Sequence, residues 1–593
     1  MSLLFNPRTY DPSSFDAETR GQLLAMIDFF ESKGLARNKD EYYAGEWYSD
    51  FVKLVADKKI FATFATPAEV GALIGNDAAR WDLARINELN EILGFYSVAH
   101  WYAWQVSVLG LGPVWLSDND DARKLVVGLL DEGHIFGFGL SEREHGADIY
   151  SSDMILTRTA NGFSASGGKW YIGNGNVAGR LSVFGKFADD DPEQPGEYVF
   201  FLVDTAHENY ELIKNVVYGQ MYVAAFHLHE YPVATTDILH VGKSAWDAAL
   251  ATVNVGKVNL GWASIGICEH SFFEAVTHAN NRILYGSRVT DFPHVRRMLA
   301  DAYTRLVAMK IFAARSTDYF RTASEDDRRF LLFNPITKAK VTSEGERVID
   351  LLWDVIAARG FERDTYFSRA ASDIRALPKL EGTVHVNIAL VLKFMPQYLG
   401  AAHGAAQDYP QIPVRQDDSD DAYLFHQGPA KGLGSIGFAD WRPAFDRFTH
   451  LVNVGIFRQQ IDAFTQLVLT APPTDAQQKD LDYLQVLGQL FAQIVYAQLI
   501  LESAALAIDD GQTRPGSVSD LSDLSEAHLD RIFAVFVRDM AEQAVQLHGQ
   551  ASATEEQSVA VLSIVRKPRI DAEAENTFVT EVLSYSGTYE MKP

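Results

Sequence analysis

A single cysteine in 593 residues, Cys268, leaves no partner for an intrachain disulfide and no thiolate set for a zinc or iron–sulfur site. Basic residues are also short: 52 Lys and Arg stand against 78 Asp and Glu, a net charge of −26. A chain of that sign is repelled by nucleic-acid backbones and anionic membranes, which argues against either as its main partner. There is no Gly-x-Ser-x-Gly elbow and no Walker loop, so hydrolase and nucleotidase chemistry has no anchor. The opening MSLLFNPRTYDPSSFDAETR has a short apolar run followed by acids, unlike a signal or transit peptide. The most apolar long stretch, GQLFAQIVYAQLILESAALA, is broken by Gln489, Gln493, Gln498 and Glu502 and reads as a buried helix, not a membrane span. The expectation is a cytoplasmic protein without nucleic acid or membrane span.

What is present is apolar mass: 47% hydrophobic and 12% aromatic residues, in a chain too long for one core. Residues 1–132 read as helices; DAETRGQLLAMIDFFESKG has helical spacing and a glycine stop. Residues 133–245 change texture to short runs between turn residues, with a hairpin signal at Asn161-Gly162 and a strand at AAFHLHEYPV. Helical periodicity returns over 246–400. A loop-rich passage then opens the last segment, 401–593, which is otherwise helical. The fold class is therefore mainly α with a central β-domain, in four segments.

Several patterns invite a functional reading. GLGSIG, Gly432 to Gly437, matches a dinucleotide-binding pattern but sits in the loop-rich passage, so it reads as a turn-rich loop. His227 and His229 share one face of a strand without an evident third ligand, and no metal is expected. FGLSEREHGADIYSSD (138–153) runs from a strand into Ser141-Glu142 and a turn, and KWYIGNG follows some twenty residues later. Donors in the first and a flat aromatic in the second suit a planar heterocycle. KLEGTVHV (379–386) sets one carboxylate, Glu381, beside Leu380 and Val384 with Leu377 just upstream.

Taken in order, LSEREHGAD, KWYIGNG, NRILYG and SDIRALPKLEGT resemble the acyl-CoA dehydrogenase family of flavoproteins, over about residues 90–395. The resemblance implies an N-terminal helical domain, a β-barrel-like middle domain and a C-terminal helical bundle, here with an additional C-terminal helical domain. It implies FAD as cofactor, with contacts from Phe138, Leu140, Ser141, Tyr171, Ile172, Gly173, Arg282, Asp354, Ala358, Thr383 and His385. Glu381 matches the family's catalytic base, and Ala147, Lys257 and Gly382 fall at substrate positions. The alternative base position of some relatives corresponds to Gly256, which has no carboxylate. Ala147 stands where a serine is usual, Gly173 where a threonine is usual, and Tyr171 where a tryptophan is usual.

The implied reaction is α,β-dehydrogenation of an acyl-CoA thioester in fatty acid β-oxidation, with an electron-transferring flavoprotein or similar acceptor. The long form implies a homodimer. Rival readings are an acyl-CoA oxidase, a dehydrogenase of carrier-protein thioesters, and a non-catalytic flavoprotein that serves as a binding module.

Overall fold

The computed structural model describes residues 3–400, 412–427 and 433–593. Much of GLGSIG's surroundings, residues 428–432, lies outside this set, as does the 401–411 part of the loop-rich passage. Leu433–Ser435 form one short helical turn, and the next helix starts only at Arg442. The chain divides into two compact units: residues 1–14, 260–416 and 432–591 form one, and residues 15–259, 417–431 and 592–593 the other. The division falls inside a helix, Lys243–Asn281.

The second of these units holds the sheet. Its helices begin with Ala17–Lys33, which Asp16 caps by accepting the Thr19 N–H and which ends at Gly34 with φ 76°. That is the predicted glycine stop, since a left-handed φ is inexpensive only without a Cβ. Two apolar helices follow, Leu83–Tyr96 and Val98–Trp115, and every residue of both is buried. The strands are β1 (Phe136–Gly139), β2 (Ile155–Thr159), β3 (Gly162–Gly173), β4 (Arg180–Phe187), β5 (Tyr198–Val203), β6 (Tyr210–Asn215), β7 (Val223–Val233) and β8 (Ile238–Val241). They make one sheet in the order β6-β7-β3-β2-β4-β5-β8, with β1 parallel to β4. The predicted hairpin is β2–β3, whose last pair is Thr159 with Gly162. The sheet's apolar face carries Met154, Leu156, Leu181, Val183, Phe201 and Phe226, all buried.

The other unit is helical. Pro293–Arg321, Leu481–Ala504 and Glu526–His548 pack against one another, and Thr342–Ile356 packs on the first. A buried charge network ties them: Arg305 meets Glu344 at 2.6 Å and Asp539 at 2.7 Å, while Lys340 meets Glu344 at 2.9 Å. Leu481–Asp509 is long and apolar enough to cross a membrane, yet 83% of its apolar window is buried inside the protein. The segment Leu3–Ser14 also belongs here. Asn6 Nδ2 donates to Thr588 O at 3.3 Å, Arg8 Nη2 to Glu590 O at 3.0 Å, and the Phe5 N–H to Glu269 Oε1 at 2.9 Å.

Candidate active site

In the sheet unit, the segment after β1 is fastened to β3 by a buried ion pair. Lys169 Nζ lies 2.7 Å from Glu142 Oε1 and donates to Leu140 O at 3.1 Å. The Trp170 N–H donates to Ser141 O at 3.0 Å. Glu142 also accepts from Ser152 Oγ at 2.7 Å and from the backbone N–H groups of Asp153 and Met154. Burial pushes the Lys169 amine down to about 8, against the pull of Glu142. Burial works to raise the Glu142 carboxyl, but the Lys169 charge and hydrogen bond, with the Asp153 and Ser152 donors, hold it below its usual value. Glu142, His145 and Asp153 converge closely enough to suggest metal ligands, but Glu142 already serves four donors and His145 Nε2 lies 3.1 Å from Asp153 Oδ2. LSE and KWYIG are therefore two sides of one joint.

β3 bulges at the predicted flavin aromatic. Trp170 pairs with Ala225 and Ile172 with Ala224, so Tyr171 is the extra residue, at φ 65° and 61% exposed. A bulge re-aims a side chain that strict alternation would fix. Ile172 and Phe138 turn their side chains inward, so only their backbone groups are available to a ligand; Phe138 stacks on Phe200 at 5.8 Å. Leu140 and Ser141 are half-buried, and Ala147 is exposed.

Gly173 is a packing requirement. A Cβ there would meet Val106 Cγ2 at 2.5 Å and Tyr102 Cε1 at 2.9 Å, both on the helix Val98–Trp115. The family's threonine has no room here. Gly173→Thr should lower stability by about 1–3 kcal/mol through overpacking, with part of the loss recovered by adding Val106→Ala; chemical denaturation of the single and double variants measures both.

Gly256 and Lys257 lie in one buried turn of the Lys243–Asn281 helix. The Gly256 carbonyl accepts from Gln105 Nε2 at 3.3 Å, Gln105 Oε1 from Asn259 Nδ2 at 2.7 Å, and Asn259 Oδ1 from Asn90 Nδ2 at 2.9 Å. The alternative base position is thus built into a chain of buried amides.

In the helical unit, Glu381 and Gly382 both have left-handed φ, 52° and 79°. Asn387, 1% exposed, spans the turn from below: its Nδ2 donates to Gly382 O at 3.1 Å and Thr383 O at 3.0 Å, and approaches Glu381 O at 3.5 Å. Thr383 caps the helix Val384–Leu392 by accepting the Val386 N–H. Upstream, the buried Lys338 donates to Pro378 O at 2.6 Å. Glu381 and Gly382 are half-buried and Leu377, just upstream, is wholly buried; Thr383 and His385 are exposed.

The remaining predicted contacts sit at helix ends. Arg282 follows the Lys243–Asn281 helix, half-buried, before a short hairpin, and Asp354 and Ala358 are exposed around the end of Thr342–Ile356. Between Asp354 and Ala358, Ala357 adopts φ 55°, ψ −138°, a conformation that suits glycine. His278 has its imidazole held below the usual value by burial and by the charges of Arg359 and Arg282. Its Nε2 is buried without a hydrogen-bond partner. Sequence reading singled out Arg282 but neither His278 nor Arg359. It also passed over Lys169, Asn387 and Lys338.

Residues 244–395 match the family model "Acyl-CoA dehydrogenase, C-terminal domain". The chain is similar to the short-chain-specific acyl-CoA dehydrogenase of Megasphaera elsdenii, 23% identical over 46% of this chain and 72% of that protein. Its fold is similar to an acyl-CoA dehydrogenase complexed with FAD from Bacillus anthracis, with TM-score 0.67 at 15% identity over 98% of this chain and 96% of that one. It is also similar to a prolyl acyl carrier protein oxidase, with TM-score 0.55 at 16% identity over 64% of this chain and 99% of that one.

Proposed function

From a chain that belongs to the acyl-CoA dehydrogenase family, we infer an FAD-dependent oxidoreductase that desaturates an acyl-CoA thioester between Cα and Cβ. The observation that carries the reading is the turn bearing half-buried Glu381, whose following carbonyls, Gly382 O and Thr383 O, accept from the buried Asn387 amide inside the matched segment.

The residues fit the cofactor. Tyr171 offers an exposed aromatic face on its bulge. Arg282 and Arg359 place two guanidinium charges around the buried His278 Nε2, a combination suited to phosphate oxygens. Leu140 and Ser141 supply backbone and hydroxyl groups for the polar edge of a heterocycle. FAD, when bound, supplies the acceptor for the β-hydride.

Glu381 takes the α-proton as a general base. A proton next to a thioester carbonyl is acidic because the charge it leaves spreads onto the carbonyl oxygen, so a base and oxygen-directed donors must act together. The Glu381 backbone N–H is assigned as one such donor. Lys257 and Gly382 are assigned to substrate, and the physiological assembly is a homodimer that passes electrons to an electron-transferring flavoprotein.

The test is anaerobic titration of the purified yellow protein with a panel of acyl-CoA and acyl-carrier-protein thioesters, following the flavin absorbance. Bleaching by an acyl-CoA supports the reading. Bleaching by carrier-protein thioesters alone moves the substrate, rapid peroxide formation in air makes the protein an oxidase, and no bleaching at all overturns dehydrogenation.

A further inference from the structure

Lys338 is 0% exposed, yet it is a lysine. A buried ammonium must be hydrogen-bonded to offset its desolvation. Here Nζ reaches the carbonyl of Pro378 at 2.6 Å, forty residues away in sequence. Pro378 lies three residues before Glu381, in a short helical turn, Leu377–Lys379, that leads directly into Leu380 and the left-handed pair.

The local helix is reshaped at this point. Phe330–Ile336 contains Pro335, which has no N–H to give, and the next five residues, Thr337–Val341, form a π-helical turn before Thr342–Ile356 continues. Such a turn inserts an extra residue into the helical register. Lys338 and Lys340 are both buried, but toward different partners: Lys340 toward Glu344 at 2.9 Å, Lys338 toward Pro378. The turn is itself pinned. Thr337 Oγ1 lies 2.9 Å from Ser316 Oγ, and a Cβ on Gly261 would come within 2.7 Å of Thr337 Cγ2. The turn also packs on the helix Val384–Leu392, which carries Asn387.

We propose that Lys338 is a positioning residue for Glu381. Its ammonium fixes the start of the Glu381 turn at Pro378, as the Asn387 amide fixes the end. The inference rests on the reading of Glu381 as the base. A rigid anchor matters there because a general base must sit within hydrogen-bond reach of the proton it removes, and a displacement of about 1 Å can cost on the order of 100-fold in rate.

The test uses Lys338→Met, which keeps length and burial, and Lys338→Arg, which keeps a cationic donor. Both are measured as the flavin-loaded enzyme with whichever thioester bleaches the wild-type flavin. Lys338→Met is expected to lower kcat about 10- to 100-fold at nearly unchanged KM and flavin content. It should also raise amide hydrogen exchange in a peptide covering 378–383, without raising it in Glu526–His548. Lys338→Arg should recover part of the kcat. Wild-type kcat in a folded Lys338→Met protein overturns the proposal, as does a loss matched by faster exchange throughout the unit. If Glu381→Gln remains active, the base assignment itself has failed; an inactive Glu381→Gln beside a fully active Lys338→Met sinks only the role of Lys338.

Discussion

Glu381→Gln is expected to cut turnover by about 10²- to 10⁴-fold, the range that a general base contributes. The amide keeps the side chain's size and hydrogen-bonding reach but cannot accept the α-proton. The turn around it is held by the Asn387 amide through backbone carbonyls, which the substitution leaves in place. The variant should stay folded and yellow. Stopped-flow reduction by the best thioester measures the effect, and near-normal reduction removes Glu381 from the base role. Gly256 offers no carboxylate to stand in for it.

Lys169→Met is expected to cost about 3–5 kcal/mol of stability, because it removes the charge partner of a Glu142 carboxylate that is only 5% exposed. The loss is read from denaturant midpoints at neutral pH, compared with the double variant Lys169→Met, Glu142→Gln, which should be more stable than the single one. A pH series adds a sign. In the wild type Glu142 is held below its usual value near 4.5, so its contribution is full above that pH and is lost as pH falls through the lowered folded value. Without Lys169 the largest lowering influence is gone, so acid destabilisation should start at higher pH. An unchanged midpoint in Lys169→Met would mean that the joint between LSE and KWYIG carries little weight.

A third substitution probes the strain at a helix end. Ala357→Gly should raise stability by about 1 kcal/mol, because φ 55°, ψ −138° is costly for a residue with a Cβ, although glycine gives back part of the gain through its freer unfolded chain. Thermal unfolding of the two proteins decides it.

Sequence patterning and structure agree best where local physics decides the outcome. The Asn161-Gly162 signal produced the β2–β3 hairpin, and the glycine stop at Gly34 closed the first long helix as its spacing required. The motifs behind the proposed site were also legible as strings: LSEREHGAD, KWYIGNG and KLEGT each contain a residue that the proposal uses. Their pairing was not. Nothing in the spacing of Glu142 and Lys169, 27 residues apart, says that the two meet across a strand end. The bulge that exposes Tyr171 depends on its register with β7, which no single strand reveals. Likewise, Gly173 reads as a missing threonine until Val106 and Tyr102 are seen to fill the space. Lys338 was hidden most thoroughly, because a lysine in a helical pattern predicts a solvated face, whereas every residue from Leu332 to Thr342 is buried.

The division of the chain also bears on how it reaches this structure. The sheet unit, mostly one stretch from Phe15 to Asn259, interrupts the helical unit, whose first segment hydrogen-bonds to residues 582 positions away. Closing so long a loop is entropically slow, whereas every strand pairing of the sheet unit closes within Phe136–Val241. The expected order of events is nested, with the interrupting unit formed before the helical one. A chain caught midway would then present a formed sheet and an unformed Glu381 turn.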